Sequence, residues 1–161
     1  MSVGRRLLMT PEEPRGRIFP AVCILALLAL SSPDRTANAA QLLSSTGSCA
    51  DIQRGDTHDG TPMILFHCHG SLNQNWVVTS GAITGENGVC LDVMGSQPKE
   101  GAQIIVVQCS GAPSQRWQIA NGQIIGLGNK CLDLQGGSTA DRTPLILATC
   151  SSSPSQQWSV Q

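Results

Sequence analysis

Apolar positions along the chain fall into two regimes. From Ile18 to Leu30 they form one continuous run of 13 residues. Beyond residue 40 they come in short bursts separated by Gly, Ser, Asn and Pro, and no period of 3.6 survives for three turns. Helix is therefore excluded from most of the chain, and short strands are predicted instead. Cys90-Leu91-Asp92-Val93, Ile104-Ile105-Val106-Val107 and Trp117-Gln118-Ile119 read as strands. Asn87-Gly88, Gly95-Ser96 and Gly111-Ala112-Pro113 read as the turns between them.

The bursts repeat with a period of 41 residues. Cys49, Cys90 and Cys131 share this spacing, as do Asp51, Asp92 and Asp133, and Ile64, Ile105 and Ile146. So do Cys68, Cys109 and Cys150; Gln74, Gln115 and Gln156; and Trp76, Trp117 and Trp158. Six positions are identical in all three copies without a gap, which chance does not produce. The copies run 41–81, 82–122 and 123–161. Each is too small to bury a core alone, so the three must share one. Three sets of short strands predict an all-β closed architecture, which also removes exposed strand edges.

The 13-residue run belongs to a different object. Arg15 and Arg17 precede it, and Ala37-Asn38-Ala39-Ala40 follows with the small residues a signal peptidase cuts between. The run is shorter than the roughly 20 residues that span a bilayer as a helix. Residues 1–40 are therefore expected to be a cleaved signal peptide, with the cut near Ala39/Ala40 and an exported mature chain. The leader holds five of the ten basic and three of the eleven acidic residues. The mature part keeps five basic against eight acidic, a net charge of −3. Its basic residues are scattered, so a nucleic-acid partner is not expected, and it has no amphipathic segment for a membrane surface. Of seven cysteines one leaves with the leader, and six in an exported chain imply disulfides.

Each copy carries Cys-x-Asp, 16 further residues to a second Cys, and Gln-x-Trp six residues later. This pattern resembles the ricin-B-type lectin repeat, the Gln-x-Trp or family 13 carbohydrate-binding module, over the whole mature chain. The resemblance implies a β-trefoil: twelve strands in three pseudo-symmetric lobes, six forming a barrel and six capping it. It implies bridges Cys49–Cys68, Cys90–Cys109 and Cys131–Cys150, each closing a loop worth about 3 kcal/mol in the loop-entropy picture. Trp76, Trp117 and Trp158 are then core residues. Gln115 and Gln156 are structural, satisfying buried backbone groups from the same strand as the Trp.

It further implies a sugar site made of the Asp of Cys-x-Asp, an aromatic two residues before the second Cys, and an Asn before Gln-x-Trp. The first copy matches with Asp51, Phe66 and Asn73, followed by Gln74. The second has Asp92 but Val107 and Ser114; the third has Asp133 but Ala148 and Ser155. The mature chain contains no Tyr, three core Trp and a single Phe, so at most one copy offers a stacking platform. The site is expected in the first copy, with His67, Asp92 and Asp133 as weaker candidates.

Bland readings stand beside these. The aspartates would equally serve nearby turns, Asn73 would equally form a turn, and Phe66, on one strand face with Ile64, would equally be a packing residue. His67-Cys68-His69 has the look of a metal motif, but an oxidised Cys68 leaves too few ligands, so no metal or cofactor is expected. Asp56, His58 and Asp59 read as a solvated polar loop. The repeated aspartates come one per lobe, unlike the paired carboxylates of glycosidases, and no hydrolase elbow or zinc-protease motif is present, so no catalysis is expected. The expectation is a secreted, monomeric carbohydrate-binding module. The alternative is a β-trefoil scaffold with degenerate sugar sites that acts through protein contacts.

Overall fold

A computed structural model describes residues 39–161. The expected leader lies outside this range apart from its last two residues. Each copy supplies four strands. The first supplies β1 (Leu42–Ser44), β2 (Cys49–Ile52), β3 (Thr61–Phe66) and β4 (Val77–Val78). The second supplies β5 (Ile83–Thr84), β6 (Val89–Val93), β7 (Ala102–Gln108) and β8 (Gln118–Ala120). The third supplies β9 (Gln123–Ile125), β10 (Cys131–Leu134), β11 (Leu145–Ala148) and β12 (Trp158–Val160). The fold is an all-β trefoil.

Within copies the long antiparallel hairpins are β2–β3, β6–β7 and β10–β11, with shorter pairings β1–β2, β5–β6 and β9–β10. Five pairs cross copy boundaries: β3–β7, β7–β11, β4–β5, β8–β9 and β12–β1. The last joins the two ends of the domain. Ala40, Gly81 and Gly122, again 41 apart, each accept the main-chain N–H of one Gln-x-Trp tryptophan, at 2.8, 3.2 and 2.7 Å.

The core repeats with the period. Leu42, Ile83 and Ile124 are equivalent core positions, as are Ala50, Leu91 and Leu132, and Ile52, Val93 and Leu134. So are Met63, Ile104 and Leu145, then Leu65, Val106 and Leu147, then the three Trp; Val89 joins them without a counterpart. Trp76, Trp117 and Trp158 are 0, 4 and 5% exposed, as expected of core residues. Each indole N–H donates to a main-chain carbonyl (Ala50, Leu91, Leu132) at 2.9–3.1 Å, so no polar atom is stranded by burying the ring. The rings are seated on small residues. A Cβ on Gly85 would lie 2.8 Å from Trp76 Cζ3, and one on Gly126 would overlap Trp117.

The disulfides join Cys49–Cys68, Cys90–Cys109 and Cys131–Cys150, all within copies, with Cα separations of 4.9–5.2 Å.

The copies are also tied to one another in a ring. Asp59 accepts the main-chain N–H of Gln108 at 2.7 Å, Glu100 that of Thr149 at 3.0 Å, and Asp141 that of His67 at 2.8 Å. Acceptors and donors each recur every 41 residues, so first clasps second, second clasps third, and third clasps first. Asp59 thus makes a specific inter-repeat bond, where a merely solvated loop was expected. Beside each clasp the next residue donates its N–H to a facing strand: Gly60 to Val106, Gly101 to Leu147, and Arg142 to Leu65.

Candidate functional site

One unit is built three times. The side-chain amide of Gln74 donates to Asp51 Oδ2 at 2.8 Å and to the His67 carbonyl at 3.0 Å, while its Oε1 accepts the His69 N–H at 2.9 Å. Gln115 joins Asp92, Gln108 and Ser110 in the same way, and Gln156 joins Asp133, Thr149 and Ser151. The glutamine ends a short 3-10 turn (Leu72–Gln74, Pro113–Gln115, Pro154–Gln156) where a strand position was expected. It pins the segment after the disulfide against the Asp. Gln74 is fully buried with its amide spent on protein, so it sits behind Asp51 and does not face the solvent.

Alternation on the β2–β3 hairpin decides what faces out. Met63 and Leu65 point into the core, so Ile64 and Phe66 point away from it. The register sets Asp51 opposite Ile64 and Cys49 opposite Phe66, which gathers Asp51, Ile64 and Phe66 on the outer face. Phe66 is half-buried, outside the core cluster. Its ring lies 4.3 Å from the His67 ring and 5.9 Å from that of His69, centroid to centroid.

A pocket of about 300 Å³ opens over this face, lined by Asp51, Gln53, Arg54, Ile64, Phe66, His69, Asn73 and Arg142. Asp51, 2% exposed, forms its floor. Burial pushes the Asp51 carboxyl above the ordinary carboxylate range, and the Gln74 hydrogen bond and nearby His69 partly offset this. His69 Nε2 stands 3.3 Å from Asp51 Oδ2. Asn73 donates one amide hydrogen to the Ile52 carbonyl at 3.2 Å, which holds its side chain at the rim.

Asp51, Phe66 and Asn73 are thus brought together. His67 is not: its Nδ1 is 2.7 Å from Asp141 Oδ2, and the side chain is exposed outside the pocket lining. Cys68 is in its disulfide, and among the described residues no three potential metal ligands converge. Asp92 and Asp133 occupy the equivalent places in the second and third copies. Two other prominent pockets, about 570 and 490 Å³, lie around Gly81 and include neither. Only Asp133 takes a local turn bond, from the Leu134 N–H at 2.7 Å. Asp92 Oδ1 is buried with no partner.

Sequence reasoning missed Arg54, His69 and Arg142. Arg54 stands where the other copies have Gly95 and Gly136, His69 where they have Ser110 and Ser151, and Arg142 where they have Gly60 and Gly101. The available signal was the departure from the repeat, not the repeat itself.

A family model for the ricin-type β-trefoil lectin domain matches residues 39–158. The chain belongs to this family. It is a lectin-type, carbohydrate-binding domain, and its family is one of binding modules without catalysis. Among curated proteins none matches. The designed threefold-symmetric protein ThreeFoil has a TM-score of 0.70 at 26% identity over 75% of this chain and 96% of its own. The agglutinin from Abrus precatorius has a TM-score of 0.68 at 24% identity over 76% of this chain, which spans only 47% of the agglutinin chain. The C-half of an earthworm R-type lectin, solved in complex with GalNAc, has a TM-score of 0.67 at 18% identity, over 76% of this chain and 98% of its own. These likenesses establish the lectin-domain fold.

Proposed function

We propose that this lectin domain binds a sugar through one site, the pocket of its first repeat, and acts as an exported monomer. Asp51 accepts hydroxyl hydrogen bonds, Phe66 covers the apolar C–H face of the ring, and Asn73 meets a further hydroxyl. Gln74 positions Asp51 from behind. The observation that carries this reading is the convergence of Asp51, Asn73 and a half-exposed aromatic on one pocket, outside the core. Val107 and Ala148 give the other copies no platform, so they serve as scaffold.

The three disulfides support export, since such bridges persist in oxidising compartments. The repeated pairing also suggests where the leader ends, because Ala40 pairs with Trp76 as Gly81 and Gly122 pair with theirs. Cleavage after Ala39 keeps that pair. Among the described residues no helix is long and apolar enough to cross a membrane.

The test is calorimetric titration with the best sugar found on a glycan array, on the exported protein and on Asp51→Asn. One sugar per chain is expected. Asp51→Asn keeps the shape but removes the charge that strengthens its hydrogen bonds, and affinity should fall roughly tenfold. Two or three sugars per chain, or an unchanged Asp51→Asn, would show that binding lies elsewhere.

A further inference from the structure

Two of the five basic residues beyond the leader, Arg54 and Arg142, line this one pocket, although they come from the first and third repeats. Neither guanidinium makes an ion pair or a side-chain hydrogen bond among the described residues. Of the other three, Lys130 is spent on Glu100, Arg116 donates to the Gly111 carbonyl, and Lys99 stands outside the pocket lining. The carboxylate adjacent in sequence to Arg142, Asp141, is committed to the N–H and ring of His67.

Both arginines also sit in backbone that disfavours them. Arg54 has φ 61° and Arg142 φ 70°, the left-handed region, where the matching positions are Gly95, Gly136, Gly60 and Gly101, all with positive φ. The fold accepts glycine at both places, so nothing in its architecture asks for a long cationic side chain there. Strained non-glycine residues gather where a site needs the side chain.

Around the pocket, then, stand two unpaired guanidiniums and His69, with Asp51 as the carboxylate already held by Gln74 and His69. Guanidinium is a planar fork of donors that can grip an anionic carboxylate or sulfate through two charge-assisted hydrogen bonds, more strongly than it holds a neutral hydroxyl. We infer that the first-repeat pocket selects a sugar bearing an anionic group, a carboxylate or a sulfate, which Arg54 and Arg142 hold while Asp51 and Phe66 hold the ring. The inference rests on the sugar-binding reading above and adds the class of sugar.

The experiment screens the protein, purified after export of the full chain, on an array of neutral, carboxylated and sulfated glycans. Titration of matched pairs follows: galactose against galacturonate, glucose against glucuronate, and N-acetylgalactosamine against its 6-sulfate. The acidic member should bind roughly tenfold tighter at low salt, and 0.5 M NaCl should shrink the gap by screening exposed charges. The pairs that respond separate carboxylate from sulfate.

Arg54→Gly and Arg142→Gly restore the residue of the other repeats, so the melting temperature should hold or rise. Each should reduce the acidic preference, and the double variant should abolish it. Equal binding of both members, or hits confined to neutral glycans, would overturn the anionic preference and leave the lectin site standing. An array with no hits would overturn both.

Discussion

Leu65 and Phe66 are neighbours on one strand with opposite fates, and truncating each to Ala reads out the two faces separately. Leu65 is fully buried in the core, so Leu65→Ala should cost about 2–5 kcal/mol, the lost transfer free energy plus a cavity. Phe66 is half-buried on the outer face. Complete burial of such a side chain contributes about 1.5–3 kcal/mol, and roughly half of that is at stake here, so Phe66→Ala should cost about 1 kcal/mol. For a domain of this size that is a drop of roughly 3–6 °C in melting temperature. Urea unfolding of both variants, fitted with a common slope, gives the two costs, and sugar titration gives the functional effect. Phe66→Ala should lose sugar binding, whereas Leu65→Ala should retain it as long as the protein is folded. Equal destabilisation by the two changes would refute the assignment of faces. Unchanged binding in Phe66→Ala would remove the ring from the site.

Gly85→Ala should destabilise by about 1–3 kcal/mol, because φ is −103° and Ala is conformationally acceptable there, leaving only the collision with Trp76 and Ile52; thermal melts against wild type check it. Lys130 Nζ, 2.6 Å away, and the Thr149 N–H hold the Glu100 carboxyl down at about 2, from an ordinary 4.5. A depressed acid contributes stability that is fully present above its unfolded value and lost as pH falls through its folded one. Glu100→Gln should therefore be less stable than wild type at pH 6, with the difference closing between about pH 4.5 and 2 in a series of denaturation curves.

Replacing Cys131 and Cys150 together by Ala opens a loop of 19-residue separation and should cost about 3 kcal/mol by chemical denaturation.

The trefoil is legible in the sequence because its burial is periodic. Trp76, Trp117 and Trp158 have to fill one shared core, and the substitution of even one would show as a break in the 41-residue register. The Cys pairs are legible for the same reason. The clasps are less so: Glu100 replaces Asp at its position, so a search for identity passes over it although the carboxylate does the same work. The pocket is legible only in part. Asp51, Phe66 and Asn73 lie within one copy and are found by reading along it. Arg142 reaches the same pocket from the third copy, and no comparison of copies in register reveals a contact that crosses between them. Ile64 misleads in the other direction. Its identity with Ile105 and Ile146 suggests the core, but the core side of β3 belongs to Met63 and Leu65, and Ile64 is buried under the pocket instead.

The clasp from third repeat to first sets an order in time. Asp141 and Arg142 reach His67 and Leu65 across 74 and 77 residues of chain, so the side of the first pocket that Arg142 supplies is absent until the third repeat has been made. A chain synthesised amino end first has Asp51 and Phe66 long before it has anything to close the ring. The earliest part of the fold to appear is thus the last to be completed, and a product that stops short of the final copy presents the hairpin without its finished pocket.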